Sequence, residues 1–159
     1  MNEQFTVRPI GCVRREDEGA VLEILPAYRP GLKQLEHFSH VIVLWWFTGY
    51  DNDESRATLQ ARPPYAEDHM TGVFAMRSEY RPNPIGLTTC PILAVDEAAG
   101  TVHVANIDAY EGTPILDLKG YFPVFDRVES PHIPPWLEDM GMPEWLPDFG
   151  MGIWEDEEA

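Results

Sequence analysis

The sequence predicts a mainly β domain, a small barrel or sandwich with short helical turns and a Trp/Pro-rich C-terminal tail packed on it. Short segments alternate, or run apolar, at strand length; turn residues separate them; and fifteen prolines leave little room for long helices. A chain of 159 residues can bury one core without disulfide staples. It contains no internal repeat.

Val7 to Arg14 reads as a first strand, and Ala20 to Leu25 alternates as a second. Pro26 to Gly31 is a loop by its turn residues, and a helical turn over Leu32 to Phe38 can follow. His40 to Phe47 is apolar on both faces, which predicts a central strand covered on both sides. Residues 51–70 are polar and carry Pro63-Pro64, so a long connection is expected. Thr71 to Arg77, Ile85 to Val95 and Thr101 to Ile107 read as strands, the last two joined across Glu97-Ala-Ala-Gly100. Ile115 to Leu118 is a short final strand. The barrel or sandwich therefore occupies residues 1–130, and residues 131–159 form the tail. Trp136, Trp145, Phe149 and Trp154 give that tail apolar surfaces that free tails rarely carry, so it is expected to pack on the domain or on a second subunit.

Cys12 and Cys90 lie far apart with no CxxC spacing, which gives neither a disulfide framework nor a zinc ribbon. The longest apolar run, Val41 to Phe47, is too short to cross a bilayer, and the N-terminus lacks the pattern of a signal peptide. A cytoplasmic protein with no membrane partner is expected. Eleven basic and twenty-seven acidic residues give a net charge of −16, which repels polyanions at long range. Eight of the acids lie from Glu138 onward with no Lys or Arg, leaving −8 on the rest of the chain. A nucleic acid would have to be met by a local basic patch.

The densest stretch of chemistry is Arg77-Ser-Glu-Tyr-Arg-Pro-Asn-Pro-Ile-Gly86. Pro82 and Pro84 fix the backbone around Asn83. Arg77 and Arg81 offer planar forks to a carboxylate or phosphate, and Asn83 offers a paired donor and acceptor suited to an adenine edge. Gly86 lets a ligand or another strand approach closely. The alternative is a surface loop whose arginines pair with Glu79, Glu111 or Asp117. In a second stretch, Asn106 to Pro114, a strand runs into a turn that gathers Asp108, Glu111 and the Thr113 hydroxyl. A carboxylate there suits a ribose diol or an ammonium; the alternative is a hairpin with side-chain caps.

RSxxRPNPIG followed by IDxxEGTPILDLKGYFP resembles the signature of the TsaA-like, TrmO-type family of S-adenosylmethionine-dependent methyltransferases. Val7-Arg-Pro-Ile-Gly11, Leu35-Glu-His-Phe-Ser-His40, Arg62-Pro-Pro64 and Gly72-Val-Phe-Ala75 support the resemblance, which runs from Phe5 to Asp126. It implies a small β-barrel, often a homodimer. It further implies a site for S-adenosyl-L-methionine and, as the best-known activity, N6-methylation of threonylcarbamoyladenosine in tRNA. By motif, cofactor contacts fall on Phe47, Thr48, Arg77, Leu87, Ala105, Asn106, Ile107 and Asp108; with the polar groups of the two stretches the expected site also takes in Ser78, Arg81, Asn83 and Thr113. No Gly-rich Rossmann fingerprint is present.

The sequence departs from the family pattern in four places. Arg14 to Gly19 stands where a Pro-Arg-Gln-Pro-Gly loop is common, Thr48 replaces a histidine, Glu111 replaces an aspartate, and the acidic tail replaces a C-terminal extension. An RNA methyltransferase, a methyltransferase acting on a small-molecule acceptor, and a non-catalytic cofactor-binding protein all fit these observations. No residue reads as an unambiguous general base, so the catalytic residues are not identified. No metal site is expected, because His37 and His40 have no third ligand nearby and Asp51-Asn-Asp-Glu54 lacks the glycine and closing glutamate of a calcium loop. Of Trp45 and Trp46 one is expected to point into the core and one to be covered by a neighbour, and Cys90 to be a buried apolar residue. Arg14, Arg15, Arg29 and Lys33 flank loops near the same early strands. They are expected to form one positive patch at the barrel mouth, with Arg29 and Arg81 near the cofactor and the tail away from it.

Overall fold

The computed structural model describes residues 4–139. Strands β1 (Gly11–Arg15), β2 (Ala20–Ile24), β3 (His40–Trp46), β4 (Gln60–Ala61), β5 (Thr71–Gly72), β6 (Ile85–Asp96), β7 (Thr101–Val104) and β8 (Pro114–Gly120) follow one another, with short helices α1 (Asp53–Ala57), α2 (Pro123–Asp126) and α3 (Pro135–Asp139). Six strands close a barrel in the order β1-β2-β7-β6-β3-β8, and β4 and β5 form a separate two-stranded sheet. Neighbouring barrel strands are antiparallel. Closure removes exposed sheet edges, and irregularities at Leu44/Trp45 and Ile92/Ala94 supply local bends.

Alternation along the strands fills the barrel. Val13, Leu22, Val41, Val43, Val102, Val104 and Ile115 are fully buried. Each such side chain contributes about 1.5–3 kcal/mol of transfer free energy. The outward residues of β3, Ile42, Leu44 and Trp46, are half-buried, so β3 is central but not covered on both faces as its apolar run predicts. The two tryptophans divide as alternation requires. Trp45 is buried and donates Nε1 to Thr88 Oγ1 at 3.1 Å, while Trp46 faces outward beneath the Arg56 guanidinium, 5.6 Å from the ring centre.

Several predicted boundaries move for local reasons. The first strand begins at Gly11 rather than Val7, because Pro9 has no N–H to add to a ladder. The predicted strand Thr71–Arg77 keeps only Thr71–Gly72; Val73–Ala75 is a 3-10 turn, closed by Met76 N–H to Val73 O. β7 ends at Val104, three residues before the predicted end, where Ala105 N–H makes its bond to Pro91 O and the chain turns away. β8 runs the full length of Pro114–Gly120, beyond the predicted Ile115–Leu118. The polar connection holds α1, capped by Asn52 Oδ1 accepting from Ser55 N–H at 2.9 Å. The β6–β7 hairpin turns on Gly100, at φ +78°, with Ala99 N–H bonded to Asp96 Oδ1. Pro26–Leu32 forms a 3-10 turn where a loop is predicted, and the helical turn predicted over Leu32 to Phe38 contracts to Leu35–His37.

The chain divides into two compact units, residues 1–121 and 122–159, a division ahead of the tail boundary at residue 130. In the second unit the start of α2 is closed by Asp126 Oδ2 accepting from Phe122 N–H at 2.7 Å. The packing expected of the tail rests largely on Trp145, Phe149 and Trp154, which lie outside the described residues. Among the described residues no helix is long and apolar enough to cross a membrane.

Two outcomes follow from this packing. A Cβ at Gly86 would fall 2.4–2.6 Å from atoms of the Trp45 ring, which is held by its bond to Thr88 and its packing on Phe47. Gly86→Ala is therefore expected to lower stability by about 1–3 kcal/mol, measured by urea denaturation. Cys90 is wholly buried and its thiol is pushed up to about 12 by desolvation. It should stay silent to a thiol reagent in the native protein and react only on unfolding.

Candidate functional site

The antiparallel register pairs Trp46 with Ile85, Trp45 with Gly86 and Leu44 with Leu87, so the end of β3 lies beside the start of β6. A cleft of about 470 Å³ opens there. Leu44, Trp45 and Phe47 line it from β3 and its exit, and Ile85, Gly86 and Leu87 from β6. Phe74, Met76, Arg77, Arg81, Pro82 and Asn83 come from the segment between β5 and β6, and Asp108 from the loop after β7.

That segment cannot be held as a strand, because Pro82 and Pro84 have no N–H. Its carbonyls are held one at a time. Pro84 O accepts from Phe47 N–H at 2.8 Å, Asn83 O from Ile85 N–H at 2.7 Å, and Pro82 O from Arg56 Nη1 at 2.6 Å. Arg81 turns into its own segment. It donates Nε to Ser78 O at 2.9 Å and Nη2 to both Val73 O and Met76 O at 2.8 Å. The fork expected to face a ligand is thus largely spent on backbone, although Arg81 still lines the cleft. Burial, and then the neighbouring Arg77 charge, lower its pKa.

Arg77, Asn83 and Asp108 present their polar groups differently. Among the described residues none of these three side chains makes a hydrogen bond or an ion pair, so the alternative in which Arg77 pairs with Glu79, Glu111 or Asp117 does not form. Asp108 is open to solvent at the rim yet flanked by the cleft walls. Desolvation raises its pKa above the ordinary carboxylate value, Glu79 raises it further, and Arg15 opposes the shift. Among the described residues two buried polar atoms, Ser78 Oγ and Asn106 Oδ1, have no hydrogen-bond partner, and neither residue lines the cleft.

Six of the twelve residues expected from sequence line the cleft: Phe47, Arg77, Arg81, Asn83, Leu87 and Asp108. Ser78 and Asn106 supply the unpartnered atoms. Thr48 is exposed with its hydroxyl near Trp46 O at 3.5 Å, Ala105 is exposed, Ile107 belongs to the core, and Thr113 is buried in the β1–β8 connection. In the turn after β7, Glu111 Oε2 accepts from Arg15 N–H at 2.6 Å, and Glu111 does not line the cleft as Asp108 does. Sequence reasoning missed Leu44, Trp45, Phe74, Met76, Pro82 and Ile85 as lining residues. The sequence reading expected one of the two tryptophans in the core; Trp45 is that one, and it lines the cleft as well.

The expected single basic patch does not form. Arg14 and Arg15 sit opposite Val21 and Ala20 at the start of β2, whereas Arg29 follows its other end and bonds Ile24 O and Ala98 O. Arg29 also packs against Gly100, at the far end of β6 from the cleft. Arg14 is paired with Glu23 and Glu16, and Arg15 donates to Ile107 O. Among the described residues no group of three His, Cys, Asp or Glu side chains is placed to hold a metal.

Comparison with known proteins fits this geometry. A probable S-adenosyl-L-methionine-binding protein of Pyrococcus abyssi is 35% identical over 132 residues, covering 82% of this chain and 66% of its own. One of Methanocaldococcus jannaschii is 38% identical over 116 residues, covering 72% and 90%. The human tRNA (adenine(37)-N6)-methyltransferase is 39% identical over 99 residues, 62% of this chain but 22% of that protein. The crystal structure of TrmO from Pseudomonas aeruginosa superimposes with a TM-score of 0.62 at 28% identity, covering 82% of this chain and 62% of that one. The chain thus spans less than two thirds of several of its relatives. Residues 3–127 match the tRNA-methyltransferase O N-terminal domain, and with the six-stranded barrel and the RPNPIG cleft they place this chain in the tRNA-methyltransferase O family.

Proposed function

We propose that the cleft binds S-adenosyl-L-methionine and that the protein is a methyltransferase acting on tRNA, with threonylcarbamoyladenosine N6 as the acceptor. The observation that carries this reading is the convergence of unpaired Arg77, Asn83 and Asp108 on one cleft walled by Trp45, Phe47 and Phe74. An amino-acid moiety needs a cation for its carboxylate and an anion for its ammonium, and Arg77 and Asp108 are of the right signs. The aromatic wall and the Asn83 amide suit the face and edge of an adenine. The bound cofactor brings an activated methyl group on a sulfonium, so the protein's part is to orient the donor and acceptor and to exclude water.

A second reading, transfer to a small-molecule acceptor, is favoured by one observation. The net charge is −16, and Arg14, Arg15 and Arg29 are engaged within the fold rather than arrayed for phosphates. Incubation with labelled cofactor against bulk tRNA and against a metabolite extract separates the two. Label in tRNA supports the first reading, and label only in the small fraction replaces it with the second.

Arg77→Ala is expected to weaken cofactor binding at least tenfold, or about 1.4 kcal/mol, by calorimetry. Unchanged affinity would move the cofactor out of this cleft. Asp108 gives a pH signature. Its raised native pKa means that the ionised carboxylate opposes folding at neutral pH, and that this opposition is relieved as pH falls through the native pKa. Asp108→Asn should therefore melt higher than the parent near neutral pH, with the difference vanishing below about pH 4, where the carboxyl is protonated in both states.

A further inference from the structure

The polar turn at residues 51–56 resembles the start of a calcium loop but does other work. Asn52 is spent as the cap of α1. Asp51 uses both oxygens: Oδ1 accepts from Arg56 Nε at 2.7 Å and Oδ2 accepts from Trp46 Nε1 at 3.3 Å. Arg56 then lies over the Trp46 ring and extends Nη1 to Pro82 O at 2.6 Å. One guanidinium thus joins three things: the outer face of β3, the α1 turn, and the proline wall of the cleft.

This contact matters because of what the wall lacks. Two prolines deny it a ladder, and the carbonyl of Pro82 takes no part in the bonds that hold Asn83 and Pro84 to Ile85 and Phe47. Arg81 secures the preceding stretch through Val73, Met76 and Ser78 and does not reach Pro82. We infer that Arg56 is a positioning residue for the cofactor. From outside the barrel it holds Pro82, and through Pro82 it sets where Asn83 and the aromatic wall stand. The inference rests on the reading that this cleft binds the cofactor. A planar, charged group suits the task, since it can bond in its plane while stacking on Trp46; a lysine ammonium reaches fewer of these partners at once.

Arg56 touches no ligand surface, so its loss should act on affinity through geometry. Arg56→Gln is expected to weaken S-adenosyl-L-methionine binding several-fold to tenfold by calorimetry, raising the cofactor KM while leaving kcat nearly unchanged. Arg56→Lys should recover part of the affinity. Hydrogen exchange at the Phe47 and Ile85 amides, whose acceptors are wall carbonyls, should accelerate in Arg56→Gln. The core variant Val102→Ala, destabilised without touching the wall, should keep parental affinity and wall protection. Parental affinity in Arg56→Gln, or an affinity loss matched by Val102→Ala at equal destabilisation, would overturn the inference. If the parent protein failed to bind the cofactor at all, the proposed function would fall, and exchange at Phe47 and Ile85 would still decide whether Arg56 holds the wall.

Discussion

Gly86 has no side chain, and the ring of Trp45 occupies the space that one would fill. Much of the rest depends on that contact. The cross-strand register fixes Trp45 opposite Gly86, Thr88 holds the indole N–H, and Phe47 packs against the ring at 4.4 Å between centroids. One face of the aromatic cluster closes the end of the barrel core, and the other forms the floor of the cleft. A glycine at the start of β6 and a tryptophan near the end of β3 thus couple folding to site formation. The core cannot be packed at that end without shaping the cleft.

The charges at the cleft are arranged in like pairs. Arg77 lowers the pKa of Arg81, and Glu79 raises those of Asp108 and Tyr50. Burial is the larger cause of the shifts at Arg81 and Asp108, and the like charges add to it. Arg81 satisfies part of its own need by donating to three carbonyls, which turns an electrostatic liability into the frame of the Val73–Ser78 segment.

The strands were legible because the barrel interior imposes a period of two, and β1, β2, β3, β6, β7 and β8 each carry it or an apolar run. The segment at residues 71–77 was not, because its carbonyls are bound by the guanidinium of Arg81, a side-chain contact that leaves no mark on the segment's own pattern. The same cause hid part of the site. Arg77, Asn83 and Asp108, expected from the two polar stretches, line the cleft, but nothing local distinguishes an arginine with a free fork from one that bonds its own loop. Sequence distance misled in the opposite direction at Arg29. It lies near Arg14 and Arg15 along the chain, yet antiparallel pairing of β1 with β2 sends it to the other end of the strand. Trp45 and Phe74 were missed as lining residues since exposure to a cleft has no periodic signature.

Charge sets a limit on how a polyanion can approach. Within the first unit Arg14 is compensated by Glu23 and Glu16 at 2.7 and 3.1 Å, Arg15 donates to Ile107 O, and Arg29 is folded over the β6–β7 turn. Surface pairs of this kind leave little net field beyond a Debye length of about 8 Å. Arg77 is the cation at the cleft with neither a carboxylate nor a carbonyl partner among the described residues, and it is exposed. The net charge of −16 opposes long-range steering of a polyanion, which leaves short-range contacts such as those of Phe74, a residue of the cleft that is 84% exposed. Exposed aromatic faces stack on bases without regard to charge, which makes the rim better suited to an unpaired base than to a duplex backbone.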